Sequence, residues 1–351
     1  MNKNFIFIRE ILIENKLYVW LLAFILSLSI LSYIDKGFFS CDDDIRQLKE
    51  ASLHFEKISP GDIMGKLHAN KGLSQIFGMT FLAFVSMLLY GIYLSPRILP
   101  GIMKLNSCSL GRLNRISWTT QDVFRAAIII LFFSKLLYIA ELFFLKTIGI
   151  VSLNIFVRSV YRSFLLDSIA VLTVFYFVVR KYNSSLRSLG IKLGNLYANF
   201  VFGALHYIGF IPYLLVAIII SLYFSGLFNY DSQPLFVFSI FFENQPKSLI
   251  IFFSFFVSLF APIVEEIFFR GFFYSALRAR TGPLRAAFFV SFIFALLHMN
   301  MTGFFPIFIL GLLLAYLYEK TDSLIAPITV HILHNSIVLY FVFLYRALVL
   351  T

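Results

Sequence analysis

The stretch LIIFFSFFVSLFAPIVEEIFFRGFFYSAL, residues 249–277, is apolar along nearly its whole length, yet it contains Glu265, Glu266 and Arg270. An apolar stretch of about 20 residues is long enough to cross the hydrocarbon core of a bilayer as a helix. An ionised side chain at the centre of such a helix costs on the order of 2.5–3.5 kcal/mol on insertion scales. The three charged side chains are therefore expected to face a cavity or a partner inside the protein.

The whole chain shares this apolar character. Of its 351 residues 60% are hydrophobic and 13% are charged, and the mean hydropathy is +0.87. Soluble domains are about 45–50% apolar and about 25% charged. The 45 phenylalanines and 18 tyrosines are too many to be buried in one soluble core of this size. The composition therefore predicts a membrane protein whose outer surface faces lipid.

Apolar segments of roughly spanning length recur along the chain. They fall at about 17–34, 76–94, 123–145, 163–179, 199–224, 249–276, 286–299, 304–318 and 325–345, of which the seventh and eighth are short. We predict an all-α fold, a polytopic transmembrane helical bundle of about eight or nine transmembrane helices.

The net charge of +11 comes from basic residues that are scattered between the apolar segments. This distribution indicates anchors that face anionic lipid, with no nucleic-acid partner. The loops at 95–122 and 180–198 are richer in Lys and Arg than the loop at 225–248, so the N-terminus is predicted to be cytoplasmic in a multi-pass protein of the cell membrane. Two cysteines support no disulfide framework.

Helical spacing separates the three charged residues into a pair and a single acid. Glu266 and Arg270 are four residues apart with the acid nearer the N-terminus, which is the favourable order for an ion pair. Glu265 is rotated by about 100° from Glu266, so Arg270 cannot easily satisfy both carboxylates. Glu265 is then free to act elsewhere, as a general base or acid.

Two later apolar segments also carry polar groups. FALLH places Phe294 and His298 on one helix face, and HILHN does the same for His331 and Asn335, with His334 beside them. A carboxylate base, imidazoles and a carboxamide donor suffice for attack of water on a carbonyl group with stabilisation of the oxyanion. His334 is expected to be an ordinary core histidine.

The three motifs carry a resemblance to a known family. EEIFFR matches E-E-x-x-x-R, FALLH matches F-x-x-x-H and HILHN matches H-x-x-x-N, in this order. Over about residues 185–340 the chain resembles the CPBP family of CAAX proteases and bacteriocin-processing enzymes, also called the Abi family of intramembrane proteases. The resemblance implies an intramembrane endopeptidase that hydrolyses a peptide bond of a membrane-associated protein or peptide precursor.

The resemblance also implies a role for each matching residue. Glu265 would activate the hydrolytic water and His298 would orient it. Glu266 and Arg270 would support the site, His331 would complete it, and Asn335 would donate to the oxyanion. Residues 161–351 would form the catalytic transmembrane core, and residues 1–160 an N-terminal transmembrane region of unassigned role. The implied partners are membrane lipids and a peptide or membrane-protein substrate.

Metal dependence is open at this stage. Glu265, His298 and His331 would make a catalytic zinc set. The sequence contains no H-E-x-x-H motif, however, and the resemblance equally supports a glutamate-activated water without a bound cofactor. We favour the metal-free alternative.

Other functions compete with the protease. A non-catalytic membrane protein could confer bacteriocin immunity or bind a partner, but it would have no need for an unpaired glutamate. An ion or proton transporter would typically show related halves, whereas here the ionisable groups in apolar segments collect near one end. A purely structural ion cluster would explain Glu265, Glu266 and Arg270 but not the two later motifs.

Overall fold

The computed structural model describes residues 15–34, 60–103, 116–148, 155–192, 194–228, 241 and 246–350. Over these ranges the chain forms helices and turns and no strand, as predicted for an all-α protein. The ten helices are α1 (Lys16–Ile34), α2 (Pro60–Ala69), α3 (Lys71–Met103), α4 (Thr120–Ile148), α5 (Ile155–Lys181), α6 (Leu196–Leu227), α7 (Lys247–Thr281), α8 (Pro283–Leu297), α9 (Met301–Thr321) and α10 (Ile325–Leu350).

Seven of the helices in the described ranges are long and apolar enough to cross a membrane. They are α3 to α7, α9 and α10. The apolar parts of α1 and α8, Lys16–Leu31 and Pro283–Leu297, are shorter. A helix of this length spans only about 22 Å of a hydrocarbon core that is about 30 Å thick. These two and the seven longer helices correspond to the nine apolar segments of the sequence. Helix α2 is too short and polar to be recognised as an apolar segment.

The bundle is organised around α6 and α7. Helix α6 packs against α3, α9 and α10, and α7 packs against α5, α8 and α10. Glycines allow the close approach of α3 and α6: a Cβ at Gly91 would collide with the carbonyl of Ile208, and one at Gly209 with the side chain of Ile98. Small residues play this part at helix interfaces in membranes, because helix association there depends on close van der Waals packing.

Helix α7 is not a regular α-helix. Two π-helical segments, Phe256–Phe260 and Ile267–Tyr274, enclose the short α-helical segment Ala261–Glu266, which carries both glutamates. Pro262 explains the first π-helical segment, since proline has no N–H to donate. The N–H of Ala261 donates instead to the carbonyl of Phe256, five residues earlier. Such π segments are frequent at functional sites.

The segment Leu186–Leu189 is a 3-10 turn that packs against the back of α7. Gly190 ends it with φ of +90°, a conformation that residues with a side chain rarely adopt, and its carbonyl accepts from the N–H of Leu324 at 2.8 Å. The hydroxyl of Tyr318 donates to the carbonyl of Leu189 at 3.1 Å. The turn thereby ties α9 and the start of α10 to α7.

Several charged side chains of the described helices form ion pairs between helices. Arg278 of α7 makes two bonds of 2.6 Å to Glu319 of α9. In α4, Glu141 contacts Arg158 and Arg162 of α5, and Asp122 contacts Lys181. These pairs hold neighbouring helices together and offset the unfavourable burial of each charge.

Candidate active site

The ion pair predicted from the spacing of α7 is present and fully buried. Arg270 Nη1 donates to Glu266 Oε1 at 2.8 Å, and both side chains have no exposed surface. Arg270 Nη2 also donates to the carbonyl of Gly311 in α9 at 3.3 Å. Removing one partner of such a pair would leave an uncompensated buried charge and destabilise the protein.

Phe294 of α8 connects the three motifs by packing. Its ring lies 4.5 Å from the guanidinium carbon of Arg270, within the range of a cation–π contact. It also meets the rings of His298 at 4.7 Å and His331 at 5.7 Å, both edge to face. The phenylalanine of F-x-x-x-H is 1% exposed, so it is the packing centre around which the polar groups are arranged.

His331 of α10 lies between the two glutamates. Its Nδ1 is 2.9 Å from Glu266 Oε1, and its Nε2 is 3.7 Å from Glu265 Oε2. Because the Glu266 carboxylate is paired with Arg270 and can only accept, Nδ1 carries the proton and donates. The Nε2 atom is thereby directed toward Glu265, at a distance too long for a direct hydrogen bond.

Glu265 differs from its neighbour in accessibility. Its side chain is 27% exposed, whereas that of Glu266 has no exposed surface. Arg270 bonds Glu266 and not Glu265, as the helical spacing predicted. The Oε2 atoms of both acids are buried and have no hydrogen-bond partner among the described residues, so the two acids differ in the exposure of the side chain and in the bond to Arg270. Of the two acids, only Glu265 has an exposed part of its side chain.

His298 lies at the end of α8 and is held by its own helix. Its Nδ1 is 2.7 Å from the carbonyl oxygen of Phe294. A carbonyl can only accept, so Nδ1 is protonated and Nε2 is left as the free position of the ring. The neutral imidazole can accept a hydrogen bond from a water molecule through this atom.

Asn335 of α10 makes a bond that the sequence did not predict. Its Nδ2 donates to the carbonyl of Val257 at 2.9 Å. This carbonyl receives no donor from its own helix: the N–H of Ala261 is taken by Phe256, and Pro262 has none. Asn335 therefore satisfies a backbone group that the π segment leaves unpaired, and one N–H of its amide remains available.

Two further polar groups near the site were not assigned to it from the sequence. His334, predicted to be a core histidine, is half-buried beside Tyr207 with a distance of 3.1 Å between Nδ1 and the hydroxyl, and it interacts electrostatically with His331 and His298. Asp167 of α5 is partly buried and interacts electrostatically with Glu265. No motif marks Asp167, and the signal that could have found it is an acid inside an apolar span.

The zinc hypothesis can be compared with the arrangement of side chains. The donor types of Glu265, His298 and His331 suit zinc. The spacing of these side chains does not suit zinc, because no three His, Cys, Asp or Glu side chains within the described ranges are close enough to hold a metal ion.

Comparisons with known proteins identify the region that holds these groups. Residues 247–337 match the family model described as type II CAAX prenyl endopeptidase Rce1-like. This range is narrower than the 185–340 of the motif-based resemblance, but it contains all six predicted site residues.

A curated relative agrees with this match. The chain is 32% identical over 81 residues to a Bacillus subtilis (strain 168) protein named "Putative membrane peptidase YdiL". The aligned part is 23% of this chain and 33% of that protein. No solved structure matches. Residues 247–337, with E-E-x-x-x-R, F-x-x-x-H and H-x-x-x-N placed on three contacting helices, are thus the part of the chain that is similar to Rce1-like CAAX prenyl endopeptidases.

Proposed function

We propose that the chain is an intramembrane endopeptidase that hydrolyses a peptide bond of a membrane-associated protein or peptide precursor. The observation that carries this proposal is the difference between the two adjacent acids. Glu266 is fully buried and bonded through Oε1 to both Arg270 and His331, while the side chain of Glu265 beside it is 27% exposed and is not bonded to Arg270. The family match over the same residues supports a protease.

The proposed reaction begins with a water molecule held by Glu265 and His298. His298 accepts one hydrogen bond from the water through Nε2. Glu265 accepts the other and removes that proton as the water oxygen bonds to the carbonyl carbon of the substrate. General acid–base catalysis of this kind contributes roughly 10²- to 10⁴-fold to the rate.

The remaining groups position the reacting atoms and stabilise the oxyanion. The Glu266–Arg270 pair fixes the ring of His331, so that its Nε2 stays on the side of Glu265. Asn335 has a second amide N–H besides the one donated to Val257, and we assign this N–H to the oxyanion. Donors aimed at such an oxygen contribute about 2.7–4 kcal/mol to catalysis.

The substrate class follows from the location of the site. The glutamates lie within a helix that is long enough to cross the membrane, so the scissile bond is in a segment that enters or closely approaches the bilayer. The matched family is named for prenyl endopeptidases, and a peptide with a prenylated C-terminal cysteine is therefore one substrate to test beside an unprenylated membrane peptide. We further propose that the N-terminus is cytoplasmic.

The test is a comparison of membrane peptides in three strains. A deletion strain would carry the wild-type chain, the Glu265→Gln variant or the matched control Ser258→Ala, whose hydroxyl bonds only to its own helix at Ser254. We expect certain peptides to be present in the strains with the wild-type chain and with the control variant. The same peptides should be absent from the Glu265→Gln strain, although the three proteins are present in the membrane in equal amounts. A Gln variant that yields the same peptides, or keeps the biological function intact, would instead favour non-catalytic immunity or partner binding.

A further inference from the structure

Helix α5 carries an acid on its inward face. Asp167 is seven residues from both Val160 and Val174, which are 2% and 0% exposed. Seven residues are close to two helical turns, so the three side chains share one face. Asp167 thus occupies a position where its helical neighbours are buried valines.

This face of α5 packs along α7, and the two helices run in the same direction. Their aromatic contacts, in chain order, are Tyr161 with Phe252, Phe164 with Phe260 and Phe177 with Phe272, at ring distances of 5.3, 4.8 and 6.0 Å. Asp167 follows Phe164 by three residues, and Glu265 follows Phe260 by five. The two acids therefore lie at similar heights along two adjacent helices.

Two further observations agree with this placement. Helix α5 contacts the segment Ala261–Glu266 directly. The Asp167 carboxyl is also within electrostatic range of Glu265. Asp167 consequently borders the same space as the proposed catalytic base.

Asp167 has no structural partner of the kind that other acids in this bundle possess. Glu141 is paired with Arg158 and Arg162. Asp167 makes no hydrogen bond or ion pair within the described ranges, and the buried Oε2 atom of Glu265 also lacks a hydrogen-bond partner there. Two ionised carboxylates facing each other in apolar surroundings repel, so one of them is favoured in its neutral form. A neutral carboxyl group is a hydrogen-bond and proton donor.

We propose that Asp167 is a second carboxyl group of the hydrolytic site, which donates a proton to the leaving nitrogen of the cleaved peptide bond. This inference rests on the proposed function and adds a residue outside the 247–337 family match. It assigns the two ends of the reaction to two helices, with the base on α7 and the acid on α5.

The proposed reaction is balanced in protons and electrons with these two carboxyl groups. Glu265 takes one proton from water, and the remaining hydroxyl forms the new bond to the carbonyl carbon. The C–N bond then breaks with its electron pair moving to nitrogen, which takes the proton of Asp167. The products are a carboxylic acid and an amine, with Asp167 ionised and Glu265 protonated. Transfer of one proton from Glu265 to Asp167 restores the starting state.

The test exploits the different demands of two leaving groups. An amide nitrogen needs a proton to leave, whereas an ester oxygen leaves far more readily without one. The probe is a peptide copied from the cleavage site that the peptidome comparison maps, together with the same peptide carrying an ester at the scissile bond. The purified full chain, Asp167→Asn, Ser168→Ala and Glu265→Gln are assayed on both. Ser168 is a matched control because its hydroxyl bonds only within α5, to Phe164.

We expect Asp167→Asn to lower the ratio of amide to ester cleavage about 100-fold, in line with the loss of one acid–base group. Ser168→Ala should leave this ratio unchanged. Because the ratio is taken within each variant, it does not depend on how much protein is folded. An unchanged ratio for Asp167→Asn, with Glu265→Gln inactive on both probes, overturns this inference alone. Cleavage that does not depend on Glu265 at all overturns the proposed function and this inference with it.

Discussion

His331 and Glu266 are joined by a buried hydrogen bond of 2.9 Å between Nδ1 and Oε1, and this bond connects the last helix to the glutamate-bearing one. The same carboxylate oxygen accepts from Arg270 at 2.8 Å. One buried acid thus fixes both the cation and the imidazole. Its neighbour Glu265 takes no part in this arrangement with Arg270, and its side chain is 27% exposed.

Neutralising Glu266 should therefore destabilise the protein. In Glu266→Gln, the guanidinium of Arg270 would stay buried without its counter-charge, and we expect a loss of about 3–5 kcal/mol in the free energy of unfolding. The matched control is Arg280→Gln, which removes a charge from an exposed position near the end of the same helix. The stability of both variants is measured by unfolding in detergent, followed by circular dichroism. Equal stability of the two variants would contradict the structural role of the Glu266–Arg270 ion pair.

Phe294 should matter far more than a lipid-facing phenylalanine of the same helix. Phe294→Ala removes the ring that contacts Arg270, His298 and His331, and a loss of about 3–5 kcal/mol is expected for a buried phenylalanine. Phe289 is 53% exposed, and Phe289→Ala should change the stability by less than about 1 kcal/mol. Similar melting temperatures for the two variants would show that the three motifs do not depend on this ring.

The bond from Asn335 to Val257 gives a prediction that depends on Pro262. Asn335→Leu leaves the Val257 carbonyl unsatisfied, and a loss of about 1–3 kcal/mol is expected. Pro262→Ala supplies a backbone N–H that can donate into the same turn of α7. The loss caused by Asn335→Leu should therefore be smaller in the Pro262→Ala background, as measured by a double-mutant cycle. Strictly additive effects would refute this coupling.

Metal dependence has a direct test. We expect the purified chain to keep its peptide cleavage after dialysis against a chelator, with metal content followed by mass spectrometry, since the proposed steps use only protein side chains. Loss of cleavage on chelation, with recovery on addition of zinc, would contradict the metal-free mechanism.

The sequence predicts the local features of this protein well. The nine apolar segments correspond to nine helices, and the Glu266–Arg270 pair follows from a spacing of four residues. Both are set by hydropathy or by neighbours on one helix, which the sequence displays directly. The exact ends of the helices are harder to predict from the sequence. Helix α3, for example, extends to Met103 because Pro96 and Pro100 are accommodated inside it.

Contacts between helices could not be predicted in the same way. The bond from His331 to Glu266 and that from Asn335 to Val257 depend on the rotation of α10 against α7, and the latter also on the π segment before Pro262. Asp167 belongs to no motif, and its relation to Glu265 exists only once α5 and α7 are packed together. The catalytic roles of the predicted site residues remain predictions for the experiments described above.

Glu265 is proposed as the base of the hydrolytic site. The most direct test measures the rate at which the purified Glu265→Gln variant cleaves the mapped peptide in liposomes. This rate is compared with that of the wild-type chain, after equal melting temperatures have shown that the two proteins are equally stable. The proposed mechanism predicts a fall of about 10³-fold, within the range of a lost general base. Cleavage by Glu265→Gln at a rate within about threefold of the wild type would contradict it.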